Sequence, residues 1–239
     1  MLVLSIDTCD SRGGVAVLRD DSVLTLSEHE PGVEYSSWLL PAVMGTLAKS
    51  GVAMNELDGY VATSGPGSFT GVRVGLTTIK GWVEVYGKPV AAVSRLEAIA
   101  EQARSAPRCV AAFVDAQRGQ VFGAVYRRDG VELLRVGDEM VISPGAFVEE
   151  AARLSGGEKI AWVSPDPAHL LGEAAWKERE KSGERIEEVS ATLAGVIGRI
   201  GLRRLREGKS TDVLELDANY VRRSDAEIFW KGGKASHGG

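Results

Sequence analysis

Asp7 and Asp115 each stand where an apolar strand hands a carboxylate to a turn. An aspartate so placed could serve as a general base or as a water-mediated metal contact in a cleft, or could simply cap its own turn by accepting backbone N–H groups. A second candidate is the segment Gly65-Pro66-Gly67-Ser68-Phe69-Thr70-Gly71 between a strand and a helix. Its glycines and hydroxyls suit a loop that cradles an anion at a helix N-terminus, or one that lets another backbone approach closely. It is not a Walker A loop, because no Lys-Ser or Lys-Thr follows the last glycine. Asp7, Gly65, Gly67, Ser68, Thr70 and Arg73 are therefore the candidate contacts to a nucleotide or other anion.

Other chemistries find little support. His29, His169 and His237 are the only histidines, and no two stand at i, i+3 or i, i+4, so no helical histidine pair for a metal is expected. His29 and His169 read as surface or turn residues. No Gly-x-Ser-x-Gly elbow occurs and nothing marks a nucleophile, so no catalytic residue is assigned. Cys9 and Cys109 have neither zinc-knuckle spacing nor the density of a disulfide scaffold and read as reduced thiols.

The 239 residues are 44% hydrophobic and 26% charged with a net charge of −5. That composition argues against disorder and gives no general attraction for phosphate backbones, so if RNA is involved another subunit is expected to supply most of the grip. The apolar runs are too short for a membrane span, the opening residues lack the pattern of a signal peptide, and a cytoplasmic location is expected.

The elements that must position these residues follow an α/β plan. Residues 2–7, 15–18 and 23–26 read as strands, 34–49 as a helix, 60–63 as a strand, 72–86 as a long helix, 89–93 as a strand and 96–103 as a helix. After Pro107 the opening pattern returns: strands at 109–114, 121–126 and 131–136, then helices at 144–154, 167–180 and 190–206. Placing Asp115 on Asp7 gives an offset of 115 − 7 = 108 residues, as an internal duplication would leave. The expected division is a first lobe over 1–105, a second over 106–222 and a mobile tail over 223–239, with a ligand cleft between the lobes.

The helix after the glycine loop has two apolar stripes. Val72, Leu76, Ile79, Val83 and Tyr86 make one, and Val74, Thr78, Trp82 and Val85 the other. One lobe needs one stripe, so the helix is either deeply buried or part of an interface, and the second stripe is expected to face a partner. The preceding helix assigns Leu40, Val43 and Leu47 to the core, with a bend at Pro41. The candidate interface comprises Tyr35, Trp38, Leu39 and Met44 on that helix, with Gly71, Val74, Thr78, Trp82 and Val85 on the next.

Leu4-Ser5-Ile6-Asp7-Thr8, Leu39-Leu40-Pro41, the run Ser64 to Gly75 and the closing Tyr220-Val221-Arg222 together resemble the TsaB (YeaZ) family. The resemblance spans nearly the whole chain. It implies a duplicated RNase H-like fold of the actin, Hsp70 and sugar/acetate kinase superfamily (ASKHA), with mixed sheets flanked by helices. It also implies a noncatalytic subunit in tRNA threonylcarbamoyladenosine (t6A37) biosynthesis. Such a subunit would dock on a TsaD-like catalytic paralogue, alongside a TsaE-like ATPase, and pair with itself when alone. ATP and a metal ion are then expected in the catalytic partner, with no cofactor on this subunit.

Where the paralogue carries a His-Met-Glu-Gly-His metal motif, this chain has Arg95-Leu96-Glu97-Ala98-Ile99, and neither Arg95 nor Ile99 is a workable ligand. Two positions depart from the family pattern: Tyr35 precedes Ser36 where a histidine is common, and Ala218 stands where a proline is common. The alternative readings are an ASKHA-type ATPase or small-molecule kinase using Asp7, and a glycoprotease-like hydrolase.

Overall fold

A computed structural model describes residues 1–30, 32–219 and 221. The expected tail over 223–239, with His237, and Tyr220 and Arg222 of the closing motif lie outside the described residues. The elements run β1 (Leu2–Asp7), β2 (Gly14–Arg19), β3 (Ser22–Glu28), α1 (Tyr35–Ser50), β4 (Gly59–Thr63), α2 (Phe69–Tyr86), β5 (Val90–Val93) and α3 (Arg95–Ala100). The second half continues with β6 (Cys109–Asp115), β7 (Val121–Asp129), β8 (Glu132–Ile142), α4 (Pro144–Leu154), β9 (Ile160–Ser164), α5 (Ala168–Leu171), α6 (Ala174–Lys181), β10 (Ile186–Glu188) and α7 (Ala194–Arg206).

The duplication is visible in the pairing. One sheet has the order β3-β2-β1-β4-β5 and the other β8-β7-β6-β9-β10, which is the same order element for element. In each, the first strand pairs antiparallel with the second and parallel with the fourth. The central strands β1, β2, β4, β6 and β9 are buried along nearly their whole length. Their near-continuous apolar runs reflect cover on both faces.

The packing departs from a contiguous division into lobes. Helix α3, from the first half, lies on β6, β7 and β9, while α7, from the second half, lies on β1, β2, β4 and β5. Each half thus lends a helix to the other's sheet, and one apolar cluster joins Val3, Leu18, Val61 and Val93 to Ile99, Val110, Ala124, Ile197 and Ile200 across both halves. The chain after α7 also returns to the first sheet: Thr211 N–H donates to the Val90 carbonyl (2.7 Å), and Leu216 is buried in the cluster under α1 and α2. The expected 106–222 lobe is therefore split, with residues 194–219 packed on the first lobe. An amphipathic pattern says that a face is buried but not against which sheet.

Smaller differences have local causes. The helix expected over 167–180 breaks into α5 and α6 at Gly172. Strands β9 and β10 lie where the sequence pattern predicts no strand. Helix α1 runs on through Pro41.

Candidate functional site

Asp7 ends β1 and is buried, with 1% of its surface exposed. Its Oδ1 accepts the Cys9 N–H (3.0 Å), so the carboxylate caps its own turn. Burial raises its pKa, and the nearby Arg95 guanidinium offsets only part of that. Beside it, burial and the Asp7 charge push the Cys9 thiol well above its ordinary range, which disfavours the thiolate.

The glycine loop packs directly on this turn. Gly65–Pro66 is a cis peptide. The Ser68 N–H donates to the Cys9 carbonyl (2.6 Å), and the Ser68 hydroxyl caps α2 by accepting the Gly71 N–H (3.2 Å). A Cβ at Gly67 would stand 2.8 Å from the Cys9 Cβ, and one at Gly71 would overlap the Thr8 carbonyl oxygen. Of the two readings of the loop, close approach of another backbone is the one realised. The structure thus brings Asp7, Gly65 and Gly67 into a packed turn-on-turn contact instead of an open cradle. Ser68, Thr70 and Arg73 stay exposed, with the Arg73 guanidinium stacked on the Phe69 ring at 3.8 Å.

Sequence reasoning missed the charged cluster beneath the turn. Arg95, at the start of α3, is buried and ion-paired with Asp10. Burial alone would raise the Asp10 pKa, but Arg95 and the Arg12 N–H hold it below the usual carboxylate range. Asp7 and Asp10 likewise raise the Arg95 pKa against the effect of its burial. Arg95 therefore keeps its charge, and Ile99 is fully buried in the cluster between the sheets. The residues at these positions do not fit a divalent metal. Among the described residues no group of three or more His, Cys, Asp or Glu is placed to hold one.

In the second half the pattern is looser. Asp115 is partly exposed and accepts the Gln117 N–H (2.8 Å) in a turn where Gln117 and Arg118 are both left-handed, and His169 lies 3.8 Å away. His29, expected on the surface, is instead buried, stacked on Tyr35 (4.0 Å) and edge-on to Trp38 (4.9 Å).

The proposed interface residues divide into two groups. Trp38, Leu39 and Gly71 are buried in the first lobe's own core, so they present no surface. Tyr35 is turned inward: its hydroxyl accepts the Gly13 N–H (3.1 Å) and donates to the Asp10 carbonyl. Trp82 is half-buried against Tyr60 (5.8 Å between centroids). Met44 and Val85 are exposed, at 73% and 74%, while Val74 and Thr78 are half-buried. Leu40, expected in the core, is also exposed because Leu39 and Thr46 take the inward positions with Val43 and Leu47. On α2 the expected core stripe is buried at Val72, Leu76 and Ile79, half-buried at Val83 and exposed at Tyr86.

Within the exposed side that results is a small stripe without charge, flanked by the exposed Lys49 of α1 and by the exposed Arg73 and Glu84 of α2. On α1 it runs Pro41, Met44, Gly45 and Ala48, and on α2 Val74, Thr78, Gly81 and Val85. These are i, i+3, i+4, i+7 and i, i+4, i+7, i+11, each a single helix face.

A family model described as "TsaD: tRNA N6-adenosine threonylcarbamoyltransferase" matches residues 32–230. The TsaB protein of Escherichia coli, a "tRNA threonylcarbamoyladenosine biosynthesis protein", is 31% identical over 97% of each chain. Among solved structures, YeaZ from Pseudomonas aeruginosa superposes with a TM-score of 0.69 at 22% identity, covering 92% of this chain and 99% of its own. A ROK hexokinase from Thermus thermophilus shares the fold at a TM-score of 0.51 and 14% identity, covering 86% of this chain and all of its own. With the duplicated strand order, these place the fold in the ASKHA class. The chain belongs to the TsaB (YeaZ) family of tRNA threonylcarbamoyladenosine biosynthesis proteins.

Proposed function

We propose that the chain is the noncatalytic docking subunit of a tRNA N6-adenosine(37) threonylcarbamoyltransferase assembly, binding a TsaD-like catalytic paralogue alongside a TsaE-like ATPase. The observation that carries this reading is the uncharged stripe on the exposed side of α1 and α2. Exposed Met44 and Val85, with Gly45 and Gly81 admitting close approach, suit helix-on-helix docking. A paralogue with the same duplicated plan would offer a matching helix pair. The same face can pair with a second copy of this chain, so a homodimer forms when the paralogue is missing and competes with it.

The buried cluster supports the noncatalytic part of the proposal. Asp7 is committed to its turn, and Arg95 and Ile99 hold positions at which a metal would need ligands. ATP and metal then belong to the partner, and contact with tRNA runs through the complex. No helix among the described residues is long and apolar enough to cross a membrane, and a cytoplasmic location is part of the proposal.

Co-purification of the chain with a TsaD-like paralogue, with ATP turnover measured for each alone and together, tests the proposal. A stable complex, with no turnover by this chain alone, is the expected result. Turnover by the isolated chain, or failure to form a complex at micromolar concentrations, would refute it.

A further inference from the structure

In open α/β proteins a ligand takes the crevice beyond the carboxyl ends of the parallel strands. Here two such ends face each other: the β1–β2 turn of the first sheet and the loop after β9 of the second. Arg12, on the β1–β2 turn, reaches across. Its Nη1 donates to Asp166 Oδ1 (2.7 Å) and its Nη2 to Asp166 Oδ2 (2.9 Å), a bidentate pair between residues 154 positions apart. The same guanidinium donates to Asp10 Oδ2 (2.9 Å from Nη2), and that oxygen also takes the buried Arg95. On the far side, the Asp166 N–H donates to the buried Ser164 hydroxyl (2.9 Å), which fixes the loop.

Charges therefore alternate Asp166, Arg12, Asp10, Arg95 from one sheet to the other, with side chains 20%, 37%, 22% and 2% exposed. A surface ion pair of this length would count for little, but a bidentate arginine inside a partly buried network is held by geometry as well as charge. A second tie crosses nearby: Glu139 of β8 accepts from the Ser94 hydroxyl and from Asn219 Nδ2 (2.6 Å), and the Asn219 N–H donates to the Ser64 carbonyl (2.7 Å).

We propose that Arg12, Asp10 and Asp166 form an ionic latch that holds together the facing carboxyl ends of strands in the two sheets. The latch closes this cleft on the chain's own side chains, where a relative of the same fold would close on a ligand. It keeps the two halves in one arrangement without nucleotide, and Arg95 anchors it from behind.

Hydrogen exchange on the full chain tests this, with Arg12→Gln, Asp166→Asn and the double variant. Asp166→Asn leaves the Arg12–Asp10 contact in place, so it reads the latch even where Arg12→Gln disturbs the turn. Each single variant should speed exchange in both loops, 8–13 and 164–168, on the order of tenfold, while amides of β1 and β6 keep their protection. The double variant should exchange no faster than the singles, because the pair acts as a unit. Unchanged exchange at 164–168 in Arg12→Gln, or additive effects in the double variant, would overturn the latch. Magnesium–ATP added to the wild type should leave both loops unchanged, and protection of both by it would show a cleft that closes on nucleotide instead.

Discussion

Gly81 offers the sharpest separation between folding and docking. It lies in the interior of α2 on the outer face, and a Cβ built there meets no heavy atom within 4 Å. A glycine in a helix interior costs about 0.5–1 kcal/mol relative to alanine, mostly as backbone entropy. With open space around it, Gly81→Ala should recover that amount, raising the melting temperature of a chain this size by about 1–4 °C. Gly81→Glu should remain folded for the same reason. If the face is covered by a partner, however, the new charge enters a desolvated contact and should cost about 2 kcal/mol or more, roughly a 30-fold loss of affinity. Thermal unfolding at concentrations low enough to suppress self-association reads the first effect. Titration calorimetry with a TsaD-like paralogue reads the second. A folded Gly81→Glu variant that binds the paralogue like the wild type would refute the assignment of this face, and a destabilised Gly81→Ala would refute its being open.

Three further outcomes follow from the same structure. Gly67→Ala should lower stability by about 2 kcal/mol or more in chemical denaturation, because its Cβ would press on Cys9; a near-native midpoint would mean that the loop is not held on the turn. Ile79→Asp should unfold the first lobe while Met44→Asp stays folded, since the former is fully buried and the latter 73% exposed; circular dichroism that showed both folded would contradict the inward stripe. Glu139 has its pKa raised, chiefly by burial, although Ser94, Arg135 and Asn219 oppose the shift. A raised folded-state pKa contributes stability that is complete below the unfolded value, about 4.3, and is lost as pH rises through the folded value. Relative to Glu139→Gln, the wild type should therefore gain stability as pH falls from 7 toward 4, and a flat or opposite trend in paired denaturation curves would contradict the buried environment.

The sequence carries the alternating strands, the returning pattern at Asp115 and the inward stripe of α2, because burial on one face leaves a period that can be counted. It carries less of what depends on partners in space. Leu40 and Trp38 exchanged roles relative to expectation, since α1 turns its Leu39 and Thr46 side inward and Trp38 joins His29 and Tyr35 in an aromatic group. Strand β9 was legible in principle: Ile160-Ala161-Trp162-Val163-Ser164 is a buried run of the kind a central parallel strand leaves, set off by Gly156-Gly157 and Pro165. The exchange of α3 and α7 between sheets leaves no local trace. Neither does the burial of Arg95, because an arginine in a sequence reads as surface until its carboxylates, Asp10 and Asp7 on a turn 85 residues earlier for the nearer contact, are placed beside it.

The most direct test is threonylcarbamoylation of tRNA measured with this chain alone, with a TsaD-like paralogue and a TsaE-like ATPase but without this chain, and with all three together. The account predicts modified adenosine only in the complete mixture, with activity falling when Gly81→Glu replaces the wild type. Modification by this chain alone, or equal modification by the paralogue and ATPase without it, would contradict a docking subunit.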